Sequence, residues 1–169
     1  TDVQPDSLNV REANLGPECI RELAAYVGKR IRNTTDGLKR LDISCNQVQS
    51  EGRLDAWATL CTAIGESTVE EMVASNVGIE ATGCKMFADS VHELTRKVDV
   101  SRNTITSTVG VGETAVASVQ YDTDCSGLET LCTRMRVATQ LETVSFAGCN
   151  LGPRSLNILA QVVSEISSL

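Results

Sequence analysis

Leu38-Lys-Arg-Leu41-Asp-Ile43-Ser-Cys-Asn46-Gln-Val48 is the stretch on which the fold turns. Its apolar side chains alternate from Leu41 to Ile43, as in a short strand with one face inward. Gly52 and an amphipathic segment follow, where Leu54, Trp57, Ala58, Cys61 and Ile64 recur at steps of three and four, the spacing of a helical stripe.

The frame returns along the chain. Val98-Asp-Val100-Ser-Arg-Asn103-Thr-Ile105 repeats it closely, and Val144-Ser-Phe146-Ala-Gly-Cys149-Asn-Leu151 repeats it with Cys in place of Asn. Leu8-Asn-Val10-Arg-Glu-Ala13-Asn-Leu15 and Met72-Val-Ala74-Ser-Asn-Val77-Gly-Ile79 carry Ala13 and Val77 at that position. Helical stripes are expected after the strands: Ile20, Leu23, Val27 and Ile31 in the first unit, and Phe87, Val91 and Leu94 in the third. Leu128, Leu131, Cys132 and Met135 form the fourth, and Leu156, Leu159, Val163 and Ile166 the fifth. Self-similarity at this period is the mark of a repeat architecture, in which each strand–helix unit buries its apolar face only against its neighbours.

The units resemble the leucine-rich-repeat signature L-x-x-L-x-L-x-x-N-x-L, with Ile and Val as substitutes. The strand spacings of 33, 31 and 26 residues are similar to the long, helix-containing class typified by ribonuclease inhibitor. The resemblance implies an α/β fold: a curved horseshoe segment of about five repeats over residues 1–169, with parallel strands on the concave face and helices on the convex face. It also implies an Asn side chain bonded to the backbone of the neighbouring turn, so Ala13 and Val77 are expected to weaken that ladder locally.

The fourth spacing is 46 residues, which leaves 106–125 as an insertion within the fourth repeat. Its Val- and Thr-rich run from Thr108 to Tyr121 reads as a β-hairpin or an ordered flap. Such insertions often sit on a binding face, so Glu113, Tyr121, Asp122 and Asp124 are candidate partner contacts.

Alternation sends Asn9, Asp42, Val73, Asp99 and Ser145 outward in one row. Arg11, Ser44, Ser75, Ser101 and Ala147 form a second, with Arg102 just beyond the strand. Apart from Ala147 these are the candidate concave-face contacts for another protein. In the resemblance, this face makes the chain a non-enzymatic interaction scaffold or adaptor; the alternatives are a GTPase activator of the Ran-activating type, or a cytoskeletal regulator.

Composition narrows the classes. A net charge of −7 on 169 residues opposes nucleic-acid binding, because polyphosphate is repelled. The sequence has no run apolar enough to span a membrane. Seven scattered cysteines, none in a C-x-x-C pair, and a lone His92 offer no zinc set and favour free thiols in a reducing, intracellular and cytoplasmic setting, with cytoskeletal association in view. Cys19, Cys61, Cys132 and Cys149 read as small buried side chains, and Cys125 as the best candidate for an exposed thiol. Gly110-Val-Gly112-Glu-Thr-Ala115 superficially matches a dinucleotide fingerprint, but its valines argue for strand where that motif needs a helix. Tyr121-Asp122-Thr-Asp124 lacks the Gly and Glu of a calcium loop. No catalytic residues, metal or cofactor are expected, and His92 reads as a partly exposed helical residue. The abrupt start at Thr1, together with an apolar last helix that no capping segment follows, suggests a monomer or part of a larger chain.

Overall fold

A computed structural model describes residues 6–29, 37–48, 53–107, 109–111 and 118–166. Thr1, Ile31, Gly52, Thr108, Gly112, Glu113 and Ala115, named above, lie outside the described residues.

Strand and helix alternate in chain order: β1 (Ser7–Asn9), α1 (Pro17–Gly28), β2 (Arg40–Asp42), α2 (Leu54–Gly65), β3 (Glu71–Val73), α3 (Ala81–Phe87) and β4 (Lys97–Asp99). Then come β5 (Val109–Val111), β6 (Ser118–Gln120), α4 (Ser126–Met135), β7 (Thr143–Ser145) and α5 (Pro153–Glu165). Five strands form one sheet in the order β1-β2-β3-β4-β7, and every neighbouring pair is parallel. β5 and β6 pair antiparallel as a separate two-stranded sheet. The fold is therefore α/β with a parallel sheet.

The register places Leu8, Leu41, Met72, Val98 and Val144 in one line across the sheet. Together with Ile43, Ala74 and Val100 they face the helices and join one core with Ile20, Leu60, Ile64, Leu128 and Met135. Trp57 and Phe87 supply the core's bulk, their rings stacked with centroids 6.0 Å apart. The indole N–H of Trp57 donates to the Gly83 carbonyl at 3.0 Å, so even this buried polar atom is satisfied. Pro17 and Pro153 open α1 and α5 in the first turn, where a missing N–H costs nothing and φ is already set.

Two helical stripes differ from the expected ones. In the third unit α3 stops at Phe87, and a short 3-10 turn (Ala88–Ser90) follows it. Val91 is extended and His92 lies in a turn, 5% exposed, rather than on a helix. The Ser90 hydroxyl donates to Phe87 O, and the His92 N–H donates to the Thr95 hydroxyl. Imidazole Nε2 lies 2.9 Å from Val69 O, so it carries the proton, and Nδ1 accepts the Leu94 N–H. With 26 residues between matching positions of β3 and β4, this unit has no room for a longer helix, and side-chain bonds close its turn instead.

In α5, Leu159 and Ile166 of the expected stripe pack inward beside Ser155 and Val162, whereas Leu156 and Val163 are 56% and 53% exposed. No helix packs over that flank among the described residues.

Candidate functional site

The helix-free face of the sheet carries two strand rows in register: Ser7, Arg40, Glu71, Lys97 and Thr143, then Asn9, Asp42, Val73, Asp99 and Ser145. Arg11, Ser44, Ser75, Ser101 and Ala147 leave the strands directly above them. Three of these side chains hold the backbone. Asn9, Asp42 and Asp99 each accept, through Oδ1, the N–H two residues on, at Arg11 (2.9 Å), Ser44 (3.0 Å) and Ser101 (3.0 Å). A short polar side chain at the end of a strand thus caps the turn that follows.

The centre of the face is closed by its own bonds. The Ser101 hydroxyl donates to Asp99 at 2.6 Å and lies 2.9 Å from Ser75 Oγ, and the Ser75 N–H donates to Ser44 Oγ. Ser44 is fully buried, and Asp42, Val73 and Ser101 are less than a tenth exposed. The rim remains open: Asn9, Arg11, Arg102 and Ala147 are exposed, and Ser75, Asp99 and Ser145 partly so.

Arg102 has φ +58, in the left-handed region that L residues enter only at a cost. Glu12, Cys45, Asn76 and Gly148 occupy the same position in their units, and all have positive φ. Each of the first four donates its N–H to the next strand, Glu12 to Ser44 O, Cys45 to Ser75 O, Asn76 to Ser101 O and Arg102 to Ala147 O. The left-handed residue swings the chain off the sheet without losing the ladder bond.

A further set of residues on this side is absent from the expected contacts. Lys39 pairs with Glu70 at 2.6 Å, Glu70 with Arg96 at 3.9 Å, and Arg96 with Glu142 at 2.6 Å, giving a line of alternating charge at the strand entrances. Arg40 pairs with Glu71 at 2.6 Å one residue further on. The doublets Lys39-Arg40, Glu70-Glu71 and Arg96-Lys97, alternating in sign, were the available signal.

The second half of each unit shows the Asn position at work. Asn46 Nδ2 donates to Val10 O, Ile43 O and Ser44 O, and its Oδ1 accepts the Leu15 N–H. Asn103 does the same with Ala74 O, Val100 O and Ser101 O, and accepts from Val77, Gly78 and Ile79. The Cys149 thiol keeps one of these bonds, to Val100 O at 3.2 Å. Val77 keeps none through its side chain, and there the Val48 N–H turns to Val77 O at 2.9 Å. The expected gap in the ladder is closed by backbone.

Around the hairpin, Tyr121 is 46% exposed. Asp122 is spoken for: it accepts the N–H groups of Gly152, Arg154 and Ser155 and the Ser155 hydroxyl, capping α5 from about thirty residues upstream. Its partial burial raises the carboxyl pKa, but the bonds from Ser155, Gly152 and Arg154 outweigh this and hold it below the usual carboxylate range. Asp124 Oδ1 accepts the Ser126 N–H at the start of α4, and bonds from Ser126 lower its pKa too.

Two cysteine expectations need correction. Cys125 is 1% exposed, because the turn built on Asp122 carries it under the start of α4. Cys19 is exposed on α1, where nothing among the described residues covers it. Cys61, Cys84, Cys132 and Cys149 are buried, and burial pushes their thiols up, Cys132 to about 11, which keeps them protonated and unreactive. Among the described residues, no group of three or more His, Cys, Asp or Glu is placed to hold a metal ion.

The family model described as Leucine Rich repeat matches residues 38–54, which span β2, the Asn46 turn and the start of α2. The chain carries a leucine-rich repeat. Its strand supplies Leu41, its turn Asn46 and its outward face Arg40, Asp42 and Ser44. The leucine-rich repeat suggests a role in protein interaction, and such repeats are typically non-enzymatic. No curated protein matches the chain. No helix among the described residues is long and apolar enough to cross a membrane.

Proposed function

We propose that the chain is a non-enzymatic scaffold that binds another protein through the helix-free face of its sheet. In this reading residues 1–169 form one domain, a curved solenoid segment of about five ribonuclease-inhibitor-like repeats. The helix-free face is its concave side, and the hairpin at 106–125 is an insertion that extends it. The single observation that carries the reading is the unbroken parallel register. It sets the exposed rim residues Asn9, Arg11 and Arg102, the partly exposed Ser145, and the charged row Arg40, Glu71 and Lys97 on one surface. A partner meets a prearranged array, so little ordering entropy opposes binding. Asp42, Ser44 and Asp99 serve that surface by fixing its backbone, with Val73, Ser75 and Ser101 as its floor. Tyr121 is the aromatic anchor at the insertion, the residue type that dominates hot spots.

The test is capture from cells of the source, comparing the intact chain with an Arg11→Glu/Ser145→Arg variant and with a Tyr121→Ala variant. The reading expects loss of a shared partner with an unchanged melting temperature. Retention of every partner by both variants overturns it. The same chain is expected to leave GTP hydrolysis by small GTPases unchanged, against the activator alternative.

A further inference from the structure

α1 and α5 begin alike, with Leu15-Gly16-Pro17 and Leu151-Gly152-Pro153. Counting from each proline, Ile20, Ala24 and Val27 of α1 match Leu156, Ala160 and Val163 of α5. The first three are at most 3% exposed and sit in the core, on a helix that packs against α2. The second three are exposed. The sheet beneath tells the same story. Val144 and Phe146 of the last unit are half-buried, while Val98, Val100, Met72 and Ala74, at the matching positions, are at most 3% exposed. The fifth unit thus builds a face of the kind that α2 covers on α1.

The outer edge of β7 specifies what fits there. At each strand entrance one carbonyl accepts two N–H groups from the next unit: Asp6 O from Lys39 and Arg40, Lys39 O from Glu70 and Glu71, Glu70 O from Arg96 and Lys97, and Arg96 O from Glu142 and Thr143. Glu142 O is the next acceptor in that series. Val100 and Arg102 donate to Ser145 O and Ala147 O, so Phe146 and Gly148 are the next donors. A parallel strand satisfies all three. Charge then selects among parallel strands. The line Lys39, Glu70, Arg96, Glu142 alternates in sign and ends on an acidic side chain that is 59% exposed. A basic side chain is the next member that continues the alternation. The start of another copy of this chain offers Asp6 at that place, a like charge against Glu142.

We propose that the β7–α5 edge is a second interaction surface, distinct from the helix-free face. It takes a parallel strand–helix unit of a partner whose strand enters with a Lys or Arg facing Glu142. The partner's strand pairs with β7 and its helix covers Leu156, Ala160 and Val163. Self-association through this edge is disfavoured by Asp6.

A single unit cannot bury its own apolar face, so the test supplies one in cis. Residues 39–66 of this chain are appended directly after Leu169. Five residues then separate α5 from the new Arg40, as five separate α2 from β3. The Phe146 and Gly148 amides are expected to exchange at least about tenfold more slowly than in the parent, with a rise in Tm of several degrees. Changing the appended Lys39 and Arg40 to Glu is expected to abolish most of this gain. Equal protection from both versions overturns the charge rule, and no protection from either overturns the docking surface. The parent chain is expected to sediment as a monomer as its concentration rises. Association that Leu156→Arg abolishes would show that the edge takes a second copy, and sink the selection against self.

Discussion

Asn103 ties three carbonyls and three N–H groups of its surroundings together through one side chain, whereas Val77, at the matching position one strand earlier, is equally buried and ties none. The backbone between them shows what the amide contributes. After Asn46 and Asn103 the next residues, Gln47 and Thr104, stay out of the left-handed region. After Ala13, Val77 and Cys149 the next residues are Asn14, Gly78 and Asn150, all with positive φ. A turn lacking the amide is completed by a second left-handed residue, and the types found there are those that tolerate it. The same curve is therefore held by side-chain hydrogen bonds in one kind of unit and by backbone conformation in the other.

The contrast is broken most directly at Asn103. Asn103→Ala leaves several buried backbone groups unsatisfied and is expected to cost about 3–5 kcal/mol in denaturant unfolding. Val77→Ala removes only two methyl groups and is expected to cost about 1–3 kcal/mol. Equal costs would mean that the amide is not the distinguishing element.

Gly78 sharpens the other side. Gly78→Ala forces an L side chain to φ +76 and is expected to lose about 1–2 kcal/mol, while Thr104→Ala at the matching position loses less than about 0.5 kcal/mol. Thermal unfolding of the pair measures the difference.

Asp122 is a third solution, in which a distant side chain supplies the cap. Asp122→Ala is expected to cost about 1–2 kcal/mol, with α5 amides exchanging first. Because the folded carboxyl pKa lies below its unfolded value of about 3.9, the stabilisation is fully present above that pH. It is lost as pH falls through the folded pKa. Asp122→Asn removes that acid dependence, which a pH series of Tm checks.

Arg102 gives the smallest effect. It belongs to the left-handed row that both kinds of unit share, so Arg102→Gly is expected to gain at most about 1 kcal/mol in denaturant unfolding.

Much of this was legible in the chain because the apolar pattern carries it. Leu41, Met72 and Val98 fix the strand line, and Leu128, Leu131 and Met135 fix α4, each by a periodicity that burial imposes. The third helix was not legible, since Val91 and Leu94 continue a helical spacing that the His92–Thr95 turn interrupts through side-chain bonds. The burial of Cys125 and the capping role of Asp122 escaped for a related reason: the cap on α5 joins residues about thirty positions apart, which no local pattern reports. On the face itself the outward rows were readable from alternation. Which members would be closed over was not, because that depends on bonds between strands, such as Ser75 to Ser44 and Ser101.

The base of the hairpin has a consequence for what this protein can tolerate. Thr123 and Asp124 donate their N–H groups to Ser107 O and Thr106 O, so the chain departs and rejoins at one point. The excursion between is invisible to the sheet: 46 residues from Lys97 to Thr143 give the same pairing as 26 from Glu71 to Lys97. A change of length at 112–117 is therefore expected to leave the pairing of β4 with β7 unshifted, which amide exchange of the two strands checks. Growth of the chain at this point is thus uncoupled from the spacing of the strands on either side of it.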